Sequence, residues 1–167
     1  ERTVTISGLS KTFSCTGWRL GHAIAPEGAT GAIRKVHDFL TVGAPAPLQA
    51  AGAAGLAFDA DYYNHMAIEY RARREVLCAA LAEAGFRFHL PEGAYYVLAD
   101  FSALSDRDDV TFAKWLAADV GVATVPGSSF RAPGSAQGRR LVRFAFCKRT
   151  ETLEAAAERL ASLRALV

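Results

Sequence analysis

Apolar positions recur along the chain with two periods, and the switches between them lay out its elements. Thr3-Val4-Thr5-Ile6 is β-branched and stops at Ser7-Gly8, which predicts a short strand. Leu20 to Ala25 is apolar enough for a second strand, ended by Pro26. Both are apolar nearly throughout, the pattern of buried parallel strands. Ile33, Val36, His37 and Leu40 then have the spacing of a half-buried helix, broken by Thr41-Val42-Gly43-Ala44-Pro45-Ala46-Pro47. An Ala/Gly-rich helix is predicted from Leu48 to Phe58, with side chains small enough for close packing. Asp59 or Asp61 caps the next helix, whose Tyr63, Met66, Tyr70, Leu77, Leu81 and Ala84 form one apolar stripe. Arg71, Arg73, Arg74 and Glu75 lie largely on its other, solvated side, and Gly85 ends it.

From Phe86 strands and helices alternate. Phe86 to Leu90 and Tyr95 to Phe101 are predicted strands around Pro91-Glu92-Gly93. Asp109 to Val120 has Val110, Ala113, Leu116 and Ala117 at helical spacing, closed by Gly121. Val122 to Val125 and Leu141 to Cys147 are two further strands, flanking a Gly/Ser/Pro-rich loop from Pro126 to Gly138. Thr150 caps a last helix that turns Leu153, Ala156, Ala157, Leu160 and Leu163 inward. This second part reads as an α+β unit with its own core, and its boundary falls inside the long helix ending at Ala84.

Composition narrows the function classes. Hydrophobic content of 51% with 22% charged residues describes an ordinary globular chain. A net charge of +2 is too small to indicate a nucleic-acid or acidic-membrane partner, and no apolar run approaches a membrane span. Cys15, Cys78 and Cys147 are odd in number and widely spaced, which argues against a disulfide framework and for a reducing compartment. His22, His37, His65 and His89 show no metal-ligand spacing.

The stretch between the first two strands carries the chemistry. Lys11 and Arg19 sit amid Ser, Thr and Gly, with few bulky neighbours before Trp18. Small residues let backbone N–H groups close on an anion and the two cations add charge, so the stretch suits a phosphate-bearing cofactor with a lysine inside the site. Two known lysine motifs fail. A P-loop needs Gly directly before the lysine and another five residues before that, where this chain has Ser10 and Thr5. The Ser-x-x-Lys motif needs Ser at position 8, which is Gly8.

Ser7-Gly8-Leu9-Ser10-Lys11-Thr12-Phe13-Ser14-Cys15-Thr16-Gly17-Trp18-Arg19-Leu20-Gly21 resembles the signature of class I/II pyridoxal-phosphate aminotransferases of fold type I. The resemblance implies that Lys11 forms the internal Schiff base with pyridoxal 5′-phosphate and that Arg19 clamps the cofactor phosphate. It also implies hydroxyl contacts from Ser10 and, second, Ser7. Cys15 replaces a residue that is usually Ala or similarly small. Val125-Pro126-Gly127-Ser128-Ser129-Phe130 and Leu141-Val142-Arg143-Phe144-Ala145-Phe146-Cys147-Lys148 resemble the two C-terminal blocks of the same enzymes. There Arg143 matches the arginine that holds the substrate α-carboxylate, a role suited to a planar, two-pronged donor. Arg139, Arg140, Lys148 and Arg149 read as surface charges.

The resemblance covers nearly all of this chain but only the second half of a family member. It implies an α/β fold in three parts: residues 1–60 as the C-terminal part of the large cofactor-binding domain, 61–85 as an interdomain helix, and 86–167 as the small α+β domain. The expected parent is a cytoplasmic homodimer that transaminates between an amino acid and a 2-oxo acid, the fragment alone being inactive. The run from Arg143 to Leu160 and Glu92-Gly93-Ala94-Tyr95-Tyr96 are similar to the kynurenine, glutamine and methionine aminotransferase subgroup. That implies sulfur-containing, aromatic or other apolar substrate side chains, although Val42-Gly43 stands where animal kynurenine enzymes carry an aromatic-His pair. Two alternatives stay open: a C–S β-lyase, and the aminotransferase-like sensor domain of a transcription regulator.

Overall fold

A computed structural model of the chain describes residues 2–163. The chain divides into two compact units, one running to Tyr62 and the other from Tyr63 onward. The division falls in the first turn of a long helix.

In the first unit, strands β1 (Thr5–Gly8) and β2 (Gly21–Ile24) pair with Thr5 opposite Ile24 and Gly8 opposite Gly21. The pairing is antiparallel, not parallel as the apolar pattern suggested. A parallel return needs a crossover, usually a helix, and residues 9–20 supply only a folded loop. The strands are not buried either: Ile6 is 81% exposed and Ile24 64%.

Helix α1 (Glu27–Thr41) follows Pro26, and α2 (Ala46–Leu56) starts two residues earlier than predicted. The early start is consistent with Pro47 lying in the first turn, where a missing N–H costs nothing. The half-buried face expected on α1 is absent; none of its residues is buried, and Val36 and Leu40 are 60% and 75% exposed. Apolar spacing tells which side of a helix is greasy but not what covers it. The helix α3 (Ala60–Ala84) opens with Asp59 accepting the Tyr62 N–H at 3.3 Å, a side-chain cap as predicted.

The second unit is an antiparallel sheet in the order β3-β4-β6-β5, covered on one face by helices. Its strands are β3 (Arg87–Phe88), β4 (Tyr96–Asp100), β5 (Val125–Pro126) and β6 (Leu141–Ala145). Alternation decides the faces. Val97, Ala99, Val142 and Phe144 point into the core, while Tyr96, Leu98 and Arg143 lie on the other face. Leu77, Cys78, Leu81 and Ala84 of α3 close the core with Phe112 of α4 (Asp109–Trp115) and Leu153 and Leu160 of α5 (Thr150–Ala161). Phe101 and Phe112 stack with centroids 4.0 Å apart, and each buried ring of this kind stabilises the fold by about 2–3 kcal/mol.

Several details depart from the periodicity reading. Of the expected 122–125 strand only Val125 joins the sheet, together with Pro126 from the expected loop, because the Val122 N–H goes back to the Leu116 carbonyl (2.9 Å) after a wide turn over Leu116–Val120. Arg149, not Thr150, precedes α5, with no side-chain cap. Arg140 is not a free surface charge. Its Nη1 donates to the Arg107 carbonyl (2.9 Å) and its Nε to Ser102 Oγ (3.2 Å), with the guanidinium 5.2 Å from the Phe101 ring centre. Arg74 is half-buried, donating to the Pro91 carbonyl at 2.8 Å. Sequence shows these charges without showing which loop carbonyls lack donors.

Asp108 precedes α4 and accepts the Thr111 N–H (2.8 Å) and hydroxyl (3.1 Å). That backbone bond, ahead of the hydroxyl, holds its carboxyl below the usual aspartate range. Asp100 ends in the same direction. Partial burial raises it, but bonds from the Ser102 hydroxyl and N–H, with Arg87 and Arg140 nearby, lower it further. Both groups bind protons less readily when folded, so they stabilise above the unfolded aspartate value of about 4 and lose that effect as pH falls through their folded values. The gap in melting temperature between wild type and Asp108→Ala is therefore expected in full near neutrality and to shrink below about pH 4. A gap unchanged in acid would contradict this assignment.

Candidate active site

The loop between β1 and β2 is a built structure. The Leu9 N–H bonds to the Leu20 carbonyl at its base (3.1 Å), and the Phe13 N–H returns to the Leu9 carbonyl (3.1 Å). The resulting helical turn is centred on Lys11, with Ser14 N–H reaching the Lys11 carbonyl at 3.4 Å. Ser14 and Arg19 take left-handed backbone conformations (φ 52° and 53°) on either side of a short turn, Thr16–Trp18. Two non-glycine residues in that region mark a loop over-determined by its surroundings.

Those surroundings are apolar. Leu9 and Leu20 are buried and rest on Gly52 of α2, where an added Cβ would lie 2.6 Å from Leu20 Cδ2 and 2.9 Å from Leu9 Cδ1. The Phe13 ring rests on Gly55 in the same way, at 3.2 Å. Phe13 also stacks with Tyr62 (5.8 Å), and the Tyr62 hydroxyl donates to the Thr12 carbonyl at 2.9 Å. Leu9, Thr12 and Phe13 thus pin the turn from both ends while Lys11 itself stays exposed. The Gly/Ala composition of α2 now has a reason, since the loop packs against its missing side chains.

The chemistry-bearing side chains of this loop carry few bonds. Among the described residues Lys11 forms no ion pair, and Arg19 donates only to the Thr16 carbonyl (3.1 Å). Ser7 is exposed and Ser10 half-buried. Gly21 is required where β2 begins, because a Cβ there would stand 2.8 Å from the Ser7 carbonyl oxygen. Among the described residues neither cation has an acidic partner, and a lysine, an arginine and two serine hydroxyls on one loop are the residue types suited to a phosphate dianion and a reactive carbonyl. No group of three or more potential metal ligands occurs among the described residues.

Arg143 belongs to the second unit, on the open face of β6 opposite Leu98. Its guanidinium carbon lies 4.7 Å from the centre of the Tyr96 ring and 4.2 Å from that of Phe130. No carboxylate pairs with it among the described residues. Sequence reasoning missed Tyr62, Gly52, Gly55 and the two rings at Arg143 as supports. Phe130 and Tyr96 lay within recognisable blocks, whereas nothing in the sequence links Tyr62 to Thr12. All three cysteines are free, and no described helix is long and apolar enough to cross a membrane.

The family model for aminotransferase class I and II, a pyridoxal-phosphate-dependent family, matches residues 1–160. The methionine aminotransferase of Escherichia coli K12 is 40% identical over 163 residues, covering 98% of this chain and 42% of the relative. The kynurenine–oxoglutarate transaminase of Dictyostelium discoideum is 32% identical, with 98% of this chain and 42% of the relative covered. Among solved structures, Escherichia coli YbdL, described as having a methionine aminotransferase function, superposes with a TM-score of 0.89 at 41% identity. That match covers 97% of this chain and 42% of the other. N-succinyldiaminopimelate aminotransferase from Mycobacterium tuberculosis gives a TM-score of 0.89 at 39% identity, covering 98% and 42%. The chain thus spans about 42% of the length of these relatives. Matched over nearly its whole length and folded like solved fold type I enzymes over part of theirs, the chain belongs to the class I and II aminotransferases.

Proposed function

We propose that the protein moves an amino group between an amino acid with a sulfur-containing, aromatic or other apolar side chain and a 2-oxo acid. The observation that carries this is the pinned turn presenting Lys11, in a loop whose two cations have no acidic partners among the described residues. Lys11 would hold pyridoxal phosphate through its Nζ, while Arg19, Ser10 and Ser7 would bind the phosphate. The cofactor supplies a conjugated ring that accepts the electrons released at the substrate's Cα. Lys11 Nζ would also be the group that takes the Cα proton and carries it within the site. Arg143 binds the substrate carboxylate with its planar fork and so fixes which C–H bond faces the base. The methionine and kynurenine relatives support the substrate class.

On this reading residues 1–60 belong to the cofactor-bearing large domain, 61–85 to the connecting helix and 86–167 to the small domain. The active species would be a homodimer, the family's usual assembly. The free thiols at Cys15, Cys78 and Cys147 support a reducing compartment such as the cytoplasm.

The test is product analysis with the natural-length protein, pyridoxal phosphate, methionine and 2-oxoglutarate. Glutamate and the oxo acid of methionine are expected to appear in equal amounts. Pyruvate and ammonia released from a cysteine conjugate, with no glutamate, would make the protein a β-lyase instead. Aspartate consumed as fast as methionine would overturn the substrate class.

A further inference from the structure

Arg143 reaches its place without the partners that usually hold a half-buried arginine. It has no ion pair and no hydrogen bond from its guanidinium to a protein acceptor among the described residues. What touches it is aromatic. Tyr96 comes from β4, as the diagonal neighbour of Arg143 across the pair Leu98–Arg143, and its ring centre is 4.7 Å away. Phe130 comes from the turn that follows β5, on the other side of β6, and its ring centre is 4.2 Å away. Both rings are partly open to solvent, Tyr96 at 37% and Phe130 at 47%. Neither therefore serves mainly to fill the core.

We infer that Tyr96 and Phe130 are positioning residues that hold the Arg143 guanidinium ready for a carboxylate while leaving its N–H edge unspent. The inference rests on the proposed role of Arg143. A ring attracts the guanidinium through its face, without consuming any of the five N–H donors. A carboxylate anchor at Arg143 would supply the same restraint but would compete with the ligand for those donors. Restraint from a strand on one side of β6 and a turn on the other also reduces the freedom that a long side chain loses on binding, which raises affinity without a new contact to the ligand. The ligand class is an organic carboxylate of an amino or oxo acid.

The experiment measures calorimetric binding of hexanoate and of the neutral hexanamide to the natural-length, cofactor-loaded protein. Tyr96→Leu and Phe130→Leu are each expected to weaken hexanoate about fivefold and to leave hexanamide unchanged. Tyr96→Phe and Phe130→Tyr, which keep a ring, should stay within about twofold of wild type. For amino-acid turnover the leucine variants should raise KM more than they lower kcat. Melting curves confirm that each variant is folded before binding is measured. If the leucine variants bind hexanoate as wild type does while Arg143→Gln loses it, the two rings do not position Arg143. If Arg143→Gln also binds hexanoate unchanged, the role proposed for Arg143 fails first, and this inference falls with it.

Discussion

Lys11→Ala in the natural-length protein is expected to lose turnover by about a thousandfold or more, and with it the cofactor adduct that borohydride traps. The loss follows from one atom. Nζ is the group proposed both to hold the cofactor and to carry the Cα proton, and no other lysine lies in residues 2–34. The fold should survive. Lys11 is exposed, and its turn is held by the Leu9 and Leu20 contacts on Gly52 and by the Tyr62 hydroxyl on the Thr12 carbonyl. Lys11→Arg should not restore activity, because a guanidinium stays protonated and is a poor nucleophile. Arg19 is unchanged in either variant, so phosphate binding should persist without the covalent link. Mass spectrometry after borohydride treatment decides the matter: an adduct that remains on Lys11→Ala would place the reactive amine elsewhere.

Gly127→Ala is expected to destabilise the second unit by about 3 kcal/mol, a drop of about 10 °C or more in melting temperature. Gly127 is buried where the chain leaves β5, and its Cβ position is occupied by backbone. An added Cβ would lie 2.8 Å from both Leu141 Cβ and the Leu141 carbonyl oxygen, and would run into the Gly138 carbonyl. Those groups cannot swing aside, because the Leu141 N–H is bonded to that same Gly138 carbonyl at 3.0 Å and Leu141 begins β6. The neighbouring Ser128 N–H is tied to the buried Asp109 carboxylate at 2.7 Å, so the turn cannot retreat on its other side. Gly134→Ala is the control. Its φ of +83° strains any side chain, but nothing stands near its Cβ, so the cost should be only about 1–2 kcal/mol. Equal losses in the two variants would show that the close approach at Gly127 is not what the glycine serves.

Both predictions separate what can be seen in the chain from what cannot. The lysine and arginine flanked by small residues could be singled out from sequence, because the spacing of charges and glycines is local. The long helix ending at Gly85, the strand alternation of β4 and β6, and the inward Leu153 and Leu160 were legible for the same reason. Each reflects a backbone period acting within one element. Where the reading failed, the deciding partner lay elsewhere in the sequence. β1 and β2 turned out antiparallel because of the loop between them, and α1 turned out bare because its amphipathic pattern says nothing about a cover. Arg140 and Arg74 became clamps because distant carbonyls at Arg107 and Pro91 happened to need donors.

By itself the sequence determined which residues carry reactive groups, which period each segment follows, and the family those residues resemble. Tertiary structure alone decided how the groups are held: Lys11 on a turn seated against two glycines of α2, and Arg143 between rings from either side of β6. The physical reason is range. Propensity, capping and alternation act over a few neighbouring residues, whereas packing and hydrogen-bond satisfaction join groups far apart in the chain, such as the Tyr62 hydroxyl and the Thr12 carbonyl.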